Sequence, residues 1–263
     1  VIGSLLAMQL TALNGSGRAG TSLLQELREG WNYVRGFAPI RIVLLLLAAT
    51  CLMGWPYSVL LPVFAGNVLH GDAHTLGWLT AASGAGAFTS ALTLAMRKSI
   101  KGLTRTLQAA VALLGAGLIL FGLSHVLWLS ILLMVVVGFG LIQAAAVCNT
   151  IIQSLVPDDK RARVMGYYTM AFFGAAPFGS LMAGALAQHI GAPHTVMLTG
   201  SFCILGAGWF TLQLPKLRPE MRAAYREKEL SDQRAAELSS PTVLGATPLS
   251  SPVPAPRIST GSR

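Results

Sequence analysis

Four intervals of the chain contain no Asp, Glu, Lys or Arg: residues 42–71, 73–96, 106–157 and 164–215, which are 30, 24, 52 and 52 residues long. A helix rises 1.5 Å per residue and a bilayer's hydrocarbon core is about 30 Å thick, so about 20 apolar residues cross it once. The two shorter intervals each predict one span. Each long interval must turn back once, at Ser124-His125 and at Gly191-Ala192-Pro193-His194, where polar, small or helix-breaking residues interrupt the run. The pattern predicts six membrane helices, over 42–68, 76–96, 106–123, 127–156, 164–189 and 195–214.

Ahead of these spans, Leu23, Leu24, Leu27, Trp31 and Val34 share one face of a helix over 21–34, with Gln25, Glu26, Arg28 and Glu29 elsewhere. This is the pattern of an interfacial amphipathic helix. Ser22 and Gln25 have the spacing of a capping box. The chain opens at Val1 in an apolar run over 1–13 that is too short to cross a bilayer, and it is read as the end of a helix begun upstream. The expected organisation is that truncated helix at 1–13, a loop with the amphipathic helix at 14–39, and a six-helix domain at 40–214. A charged helix at 215–238 and a disordered Pro/Ser-rich tail at 239–263 complete it.

Charge then supplies orientation. The balance is 19 Lys and Arg against 10 Asp and Glu, a net +9, which in a soluble protein would point to nucleic acid. Here 53% of residues are hydrophobic and 11% charged, under half the charged share of a soluble domain. All 19 basic residues lie before residue 42, in 97–105, in 160–163 or after 215, which are the loops on one side of a six-span chain. The positive-inside rule makes that side cytoplasmic, with both ends on it, and no nucleic-acid partner is expected. Cys51, Cys148 and Cys203 sit in apolar runs without paired spacing and read as small buried hydrophobes. His70, His74, His125, His189 and His194 fall in or beside the outer turns, without helix-face ligand spacing, and read as interfacial polar residues.

No Asp, Glu, Lys, Arg or His lies in the middle of a predicted span, and the chain has no HExxH and no Ser/His/Asp grouping. Catalytic residues, a metal and a cofactor are therefore not expected, nor is a proton carrier within this stretch. Uncharged polar groups remain. Cys51, Trp55, Ser58 and Pro62 share a face of the first span beside Thr50, Gly54 and Tyr57, and Gly54 and Pro56 should loosen the backbone there. Gln143 lies near the centre of the fourth span, with Asn149 and Gln153 nearer its end. The candidate cavity residues are Cys51, Trp55, Tyr57, Ser58, Gln143 and Asn149. Packing against lipid or a neighbouring helix is the alternative for the two aromatics, and an interhelical hydrogen bond is the alternative for the amides.

An offset of 89 residues lays the second span on the fifth: Gly77 on Gly166, Trp78 on Tyr167, Thr80 on Thr169, Ala82 on Ala171, Ala87 on Ala176 and Leu92 on Leu181. The two helices would run in opposite directions, as inverted three-helix repeats of secondary transporters do. Chance matching between two Ala/Gly-rich helices is the alternative, and the first and fourth spans show no comparable match. Gly84 and Gly86 in one helix, and Gly174 and Gly179 in the other, should permit close packing, with Pro177 as a hinge.

Two blocks carry a family resemblance. One is Glu29-Gly30-Trp31-Asn32-Tyr33-Val34-Arg35 before Pro39-Ile40-Arg41. The other, more specific, is Pro157-Asp158-Asp159-Lys160-Arg161-Ala162-Arg163-Val164-Met165-Gly166, leading into Phe173-Gly174-Ala175-Ala176-Pro177-Phe178-Gly179-Ser180. From about Leu23 to Leu214 the chain resembles the carboxy-terminal half of a major facilitator superfamily transporter, most like the enterobactin-exporter-like branch. The resemblance implies an all-α membrane protein, the six-helix half of a major-facilitator-type bundle built from two inverted three-helix repeats, with a missing amino-terminal six-helix half as partner. It also implies that the first and fourth spans line a central cavity, and that siderophore-like or drug-like amphiphilic small molecules are exported across the cell inner membrane by alternating access, with protons as coupling ion. The loop Arg97-Lys98-Ser99-Ile100-Lys101-Gly102-Leu103-Thr104-Arg105 corresponds to a degenerate family loop and lacks its acidic residue. Arg97, Lys98 and Arg105, with Asp158, Arg161 and Arg163, are the expected cytoplasmic gate loops. The rival readings are a non-transporting scaffold or receptor of the same fold and, behind it, an intramembrane enzyme.

Overall fold

The computed structural model describes residues 23–97 and 102–239, all of whose regular elements are helical. The truncated helix at 1–13, the capping residue Ser22, Lys98 and the tail beyond 239 lie outside the described residues. The amphipathic α1 (Leu23–Gly36) leads into α2 (Ala38–Gly54), which opens with Pro39 in its first turn, where a missing N–H costs nothing. The first span then breaks. Trp55 and Pro56 form a turn, α3 (Tyr57–Val63) resumes, and a π-helical turn (Phe64–Val68) closes it after Pro62.

Asp72 caps α4 (Ala73–Ala95) by accepting from the backbone N–H of His74 at 3.0 Å and of Thr75 at 3.2 Å. The Thr75 bond is the main reason the Asp72 carboxyl is held below the ordinary aspartate range. Gly102, at φ +84, turns the chain into α5 (Leu103–Leu123). Ser124 and Val126 are extended, so the predicted Ser124-His125 turn lies where α5 gives way to α6 (Leu127–Leu155). The second predicted turn is tighter than expected. Gly191 alone, at φ +83, separates α7 (Asp158–Ile190) from α8 (Ala192–Ser239), because Pro193 fits the first turn of a helix. α8 continues through Pro215 and Pro219, and α7 continues through Pro177 as a single helix.

Among the described residues, five helical stretches are long and apolar enough to cross a membrane: Ala38–Val68, Leu103–Leu123, Leu127–Leu155, Lys160–Ile190 and Ala192–Pro215. α4 is not among them, although it was expected to be the second of six. Six hydroxyl side chains, Thr75, Thr80, Ser83, Thr89, Ser90 and Thr93, lower its hydropathy.

Lipid tails are as apolar as leucine, so close backbone approach has to do much of the work of holding such helices together. The glycines show where this happens. A Cβ on Gly86 would collide with the Val135 carbonyl, and one on Gly138 with the Ser83 carbonyl, so α4 lies backbone to backbone along α6. Gly140 comes less tightly but still closely against α5, 2.9 Å from the Ala110 carbonyl as measured from an added Cβ. Gly115 and Gly200 approach each other's carbonyls, at 2.6 and 2.7 Å by the same measure, and join α5 to α8. α7 packs chiefly on α2, and Gly179 rides over the Leu52 carbonyl. Two glycines expected at close contacts make none: a Cβ on Gly84 or Gly174 would meet only open space.

Candidate functional site: the cleft beside the broken helix

Pro56 has no N–H, so the helical ladder cannot continue through it and the Leu52 carbonyl loses its usual donor. Trp55 still bonds the Cys51 carbonyl at 3.3 Å, after which the chain tightens: Ser58 N–H bonds Trp55 at 3.2 Å and Val59 N–H bonds Pro56 at 3.1 Å. Ser58 Oγ also donates to the Trp55 carbonyl at 3.0 Å. This break turns Trp55, Tyr57 and Ser58 toward a cleft of about 190 Å³ shared by α3, α4 and α6. Ser83, Gly84 and Ala87 form the α4 wall, and Gly138, Leu141 and Ile142 form the α6 wall. Gly84 thus serves as a bare surface of the cleft rather than as a packing contact.

Hydrogen bonds and rings hold the cleft's polar and aromatic groups in place. Tyr57 Oη and Ser83 Oγ share a hydrogen bond of 2.7 Å across the α3–α4 gap. Trp55 meets Phe172 of α7 edge to face, with centroids 5.5 Å apart. Phe172 in turn stacks parallel to Tyr168 at 6.1 Å and meets Phe173 edge on at 4.8 Å. Tyr168 Oη donates to the Ala145 carbonyl at 3.1 Å, fixing the far end of this aromatic row to α6. Sequence reasoning did not select Ser83, Tyr168 or Phe172. For the two aromatics a signal was present in the i, i+4 spacing of Tyr168 and Phe172, whereas Ser83 had none.

The candidate cavity set does not gather into one place. Cys51 is wholly enclosed in the core and does not reach the cleft. Gln143, only 5% exposed, accepts through Oε1 from Ser90 Oγ at 2.8 Å and Thr93 Oγ1 at 3.3 Å, which makes it a clamp between α4 and α6. It lines a second cleft, of about 260 Å³, rather than the one beside Trp55. Asn149 Oδ1 accepts from Gln153 Nε2 one turn on, at 2.8 Å. The amide alternative of an interhelical hydrogen bond therefore describes Gln143, and a same-helix bond describes Asn149.

At the end that carries the basic residues, the two sequence blocks singled out above come together. Trp31 of α1 lies against Tyr167 of α7, with centroids 6.0 Å apart, and Lys160 Nζ sits 4.8 Å over the Tyr33 ring. Gly30 packs closely on Tyr167 and Arg163, an added Cβ lying 3.0 Å from the Tyr167 ring. Arg41 donates to the Arg35 carbonyl at 3.1 Å. Arg97 donates to Thr106 Oγ1 across the α4–α5 connection. Arg161 and Arg163 are half-buried at the start of α7, Arg105 is exposed, and the Asp158 side chain is outside the described set.

A family profile described as "transmembrane secretion effector" matches residues 1–240. Among curated proteins, the multidrug efflux pump Tap of Mycolicibacterium fortuitum is 29% identical over 221 residues, covering 82% of this chain and 53% of that pump. The pumps of the same name from Mycobacterium bovis and Mycobacterium tuberculosis are 29% identical over 223 residues, covering 82% of this chain and 52% of theirs. The chain spans about half the length of the curated relatives it matches.

Proposed function

Because this chain belongs to the transmembrane secretion effector family of major facilitator transporters, we propose that it supplies one half of an exporter that moves drug-like amphiphilic small molecules by alternating access. The observation that carries this reading is the cleft of Trp55, Tyr57 and Ser58. It joins an aromatic surface to fixed hydroxyls beside a helix break, which suits a substrate that is apolar over most of its area with a few polar groups. The curated relatives' names, multidrug efflux pumps, agree with a substrate class set by shape and amphiphilicity.

In this reading the chain is the carboxy-terminal six-helix half in the inner membrane, α4 is the remaining span, and the basic end is cytoplasmic. An amino-terminal half covers the cleft. Inverted repeats gain support from the packing, where α4 lies on α6 as α7 lies on α2, while α5 and α8 pair with each other. That is the exchange expected if α2–α5 and α6–α8 are related units. Proton coupling would reside in the other half, since Asp, Glu, Lys, Arg and His are missing from the middle of these helices. Siderophore-like molecules fall within the same substrate class. Cys51 and Gln143 stand behind the cleft, Gln143 holding its α4 and α6 walls together, while Asn149 is bonded within α6. The loops with Arg97 and Arg105 and with Asp158, Arg161 and Arg163 close its basic end.

Efflux of a fluorescent amphiphilic dye from cells carrying the whole transporter tests the reading. Trp55→Ala should slow efflux severalfold, and Tyr57→Phe less, with membrane insertion unchanged in both. Wild-type efflux by both variants would remove the cleft from the substrate path. Normal insertion with no dye transport by the unmodified protein would favour a scaffold or receptor.

A further inference from the structure

The second cleft has a different construction and points to a different ligand. α4 and α5 lie on α6 with little direct contact between themselves, which leaves a groove floored by α6. At its basic end stands Arg97, held by Thr106. Deeper in, the lining becomes Ala109, Leu113 and Phe139. Thr106 and Leu113 are seven residues apart on α5, about 10 Å along the axis. A bilayer leaflet has a polar zone of about 5–7 Å above its hydrocarbon, so a groove that passes from a guanidinium to bare hydrocarbon over that depth follows a lipid's own profile.

Gln143 supplies a second, independent polar element. Its Oε1 is occupied by Ser90 and Thr93, while Nε2 has no hydrogen-bond partner among the described residues, and the side chain lines this groove. In the parallel pairing of α4 with α6, Gln143 lies level with Ser90, and Arg97 is about two turns nearer the basic end. An amide donor below a guanidinium matches an ester carbonyl below a phosphate.

We propose that the groove between α4 and α5 seats an anionic phospholipid, its phosphate on Arg97, an ester carbonyl on Gln143 and an acyl chain along Leu113 and Phe139. The lipid would fill the gap between two helices that do not support each other. The site is separate from the Trp55 cleft, and its occupant is a structural lipid rather than a transported molecule.

Native mass spectrometry of the full chain released from detergent tests this, with phosphatidylglycerol and phosphatidylcholine of equal chain length compared. Phosphatidylglycerol should be retained in preference. Arg97→Gln should lower that preference about fivefold, the effect of one basic residue at an anionic surface, and Arg97→Lys should restore most of it. Leu113→Trp, which fills the apolar part and leaves the guanidinium in place, should reduce retention of both lipids. Melting curves confirm that each variant is folded before its adducts are counted. Equal retention of the two lipids by the unmodified chain would overturn the proposal. So would displacement by inorganic phosphate alone or by the amphiphilic dye, or unchanged phosphatidylglycerol retention in both Arg97→Gln and Leu113→Trp. Lipid retention is read without reference to efflux, so its failure leaves the transport reading untouched.

Discussion

α6 and α7 are adjacent in the chain, similar in length and equally free of charge in their middles, yet 61% of the most apolar stretch of α6 is buried and only 11% of that of α7. Hydropathy, lower in α7 than in α6, is not by itself the reason, because α7 leaves even the large apolar side chains of Met170, Phe173, Phe178 and Leu181 exposed. The difference lies in where the glycines fall. Gly138 and Gly140 each meet a neighbouring backbone, whereas Gly166, Gly174 and Gly184 meet nothing. Of the α7 glycines, Gly179 alone comes against another helix's backbone. In a lipid-like environment an apolar surface has no need to be covered, so a helix is buried only where a neighbour can come close.

The contrast is broken most directly by putting a side chain at these glycines. Gly138→Leu should place its Cβ on the Ser83 carbonyl. Overpacking of this kind typically costs about 1–3 kcal/mol, and with backbone in the way the cost should reach or pass the top of that range. Gly174→Leu should stay within about 0.5 kcal/mol of the parent. Thermal unfolding of the two purified variants compares them, and equal losses would mean that α7 is packed as tightly as α6.

A smaller effect is expected at the aromatic row that ties α7 to the broken span. Phe172 contacts Trp55, Tyr168 and Phe173, and such pairs contribute about 0.5–1.5 kcal/mol each. Phe172→Ala should loosen α7 selectively, speeding its amide exchange while leaving that of α6 unchanged. Uniform acceleration in both helices would show that α7 is not a separate unit.

Within the α4–α6 pair, Gln143→Leu should cost about 0.6–2 kcal/mol, the range for interhelical hydrogen bonds in membranes. A cycle with Ser90→Ala should show the two losses overlapping. Strict additivity would mean that the 2.8 Å contact contributes little.

The smallest effect belongs to the Asp72 cap of α4. The folded carboxyl titrates below its unfolded value, so its support is complete above the ordinary aspartate range and fades as pH falls through the lowered one. Amide exchange in the first turn of α4 should therefore accelerate in acid. Asp72→Asn keeps the capping oxygen and should remove that acid sensitivity, while Asp72→Ala should show fast exchange at every pH.

Much of this was legible in the linear pattern because it depends on local chemistry. Charge-free length marks the apolar helices, Ser124-His125 and Gly191 mark turns, and Gly54 with Pro56 marks the broken span. The site was legible only in part. Trp55, Tyr57 and Ser58 could be grouped because they sit on one helical break. Ser83, which bonds Tyr57 from 26 residues away, and Phe172, which reaches Trp55 from 117 residues away, share no local pattern with it. Gly84 and Gly86 look equivalent in sequence, and only the neighbour opposite each makes one a cleft wall and the other a packing contact.

By itself, then, the sequence determined that this chain is helical, apolar enough to live in a membrane and basic at one end, since helix length, hydropathy and charge are properties of a segment alone. Tertiary structure decided which faces are covered, that Gln143 clamps helices away from the Trp55 cleft, and that two clefts of opposite character exist. Those outcomes depend on how closely backbones from distant parts of the chain approach, and no segment carries that information on its own.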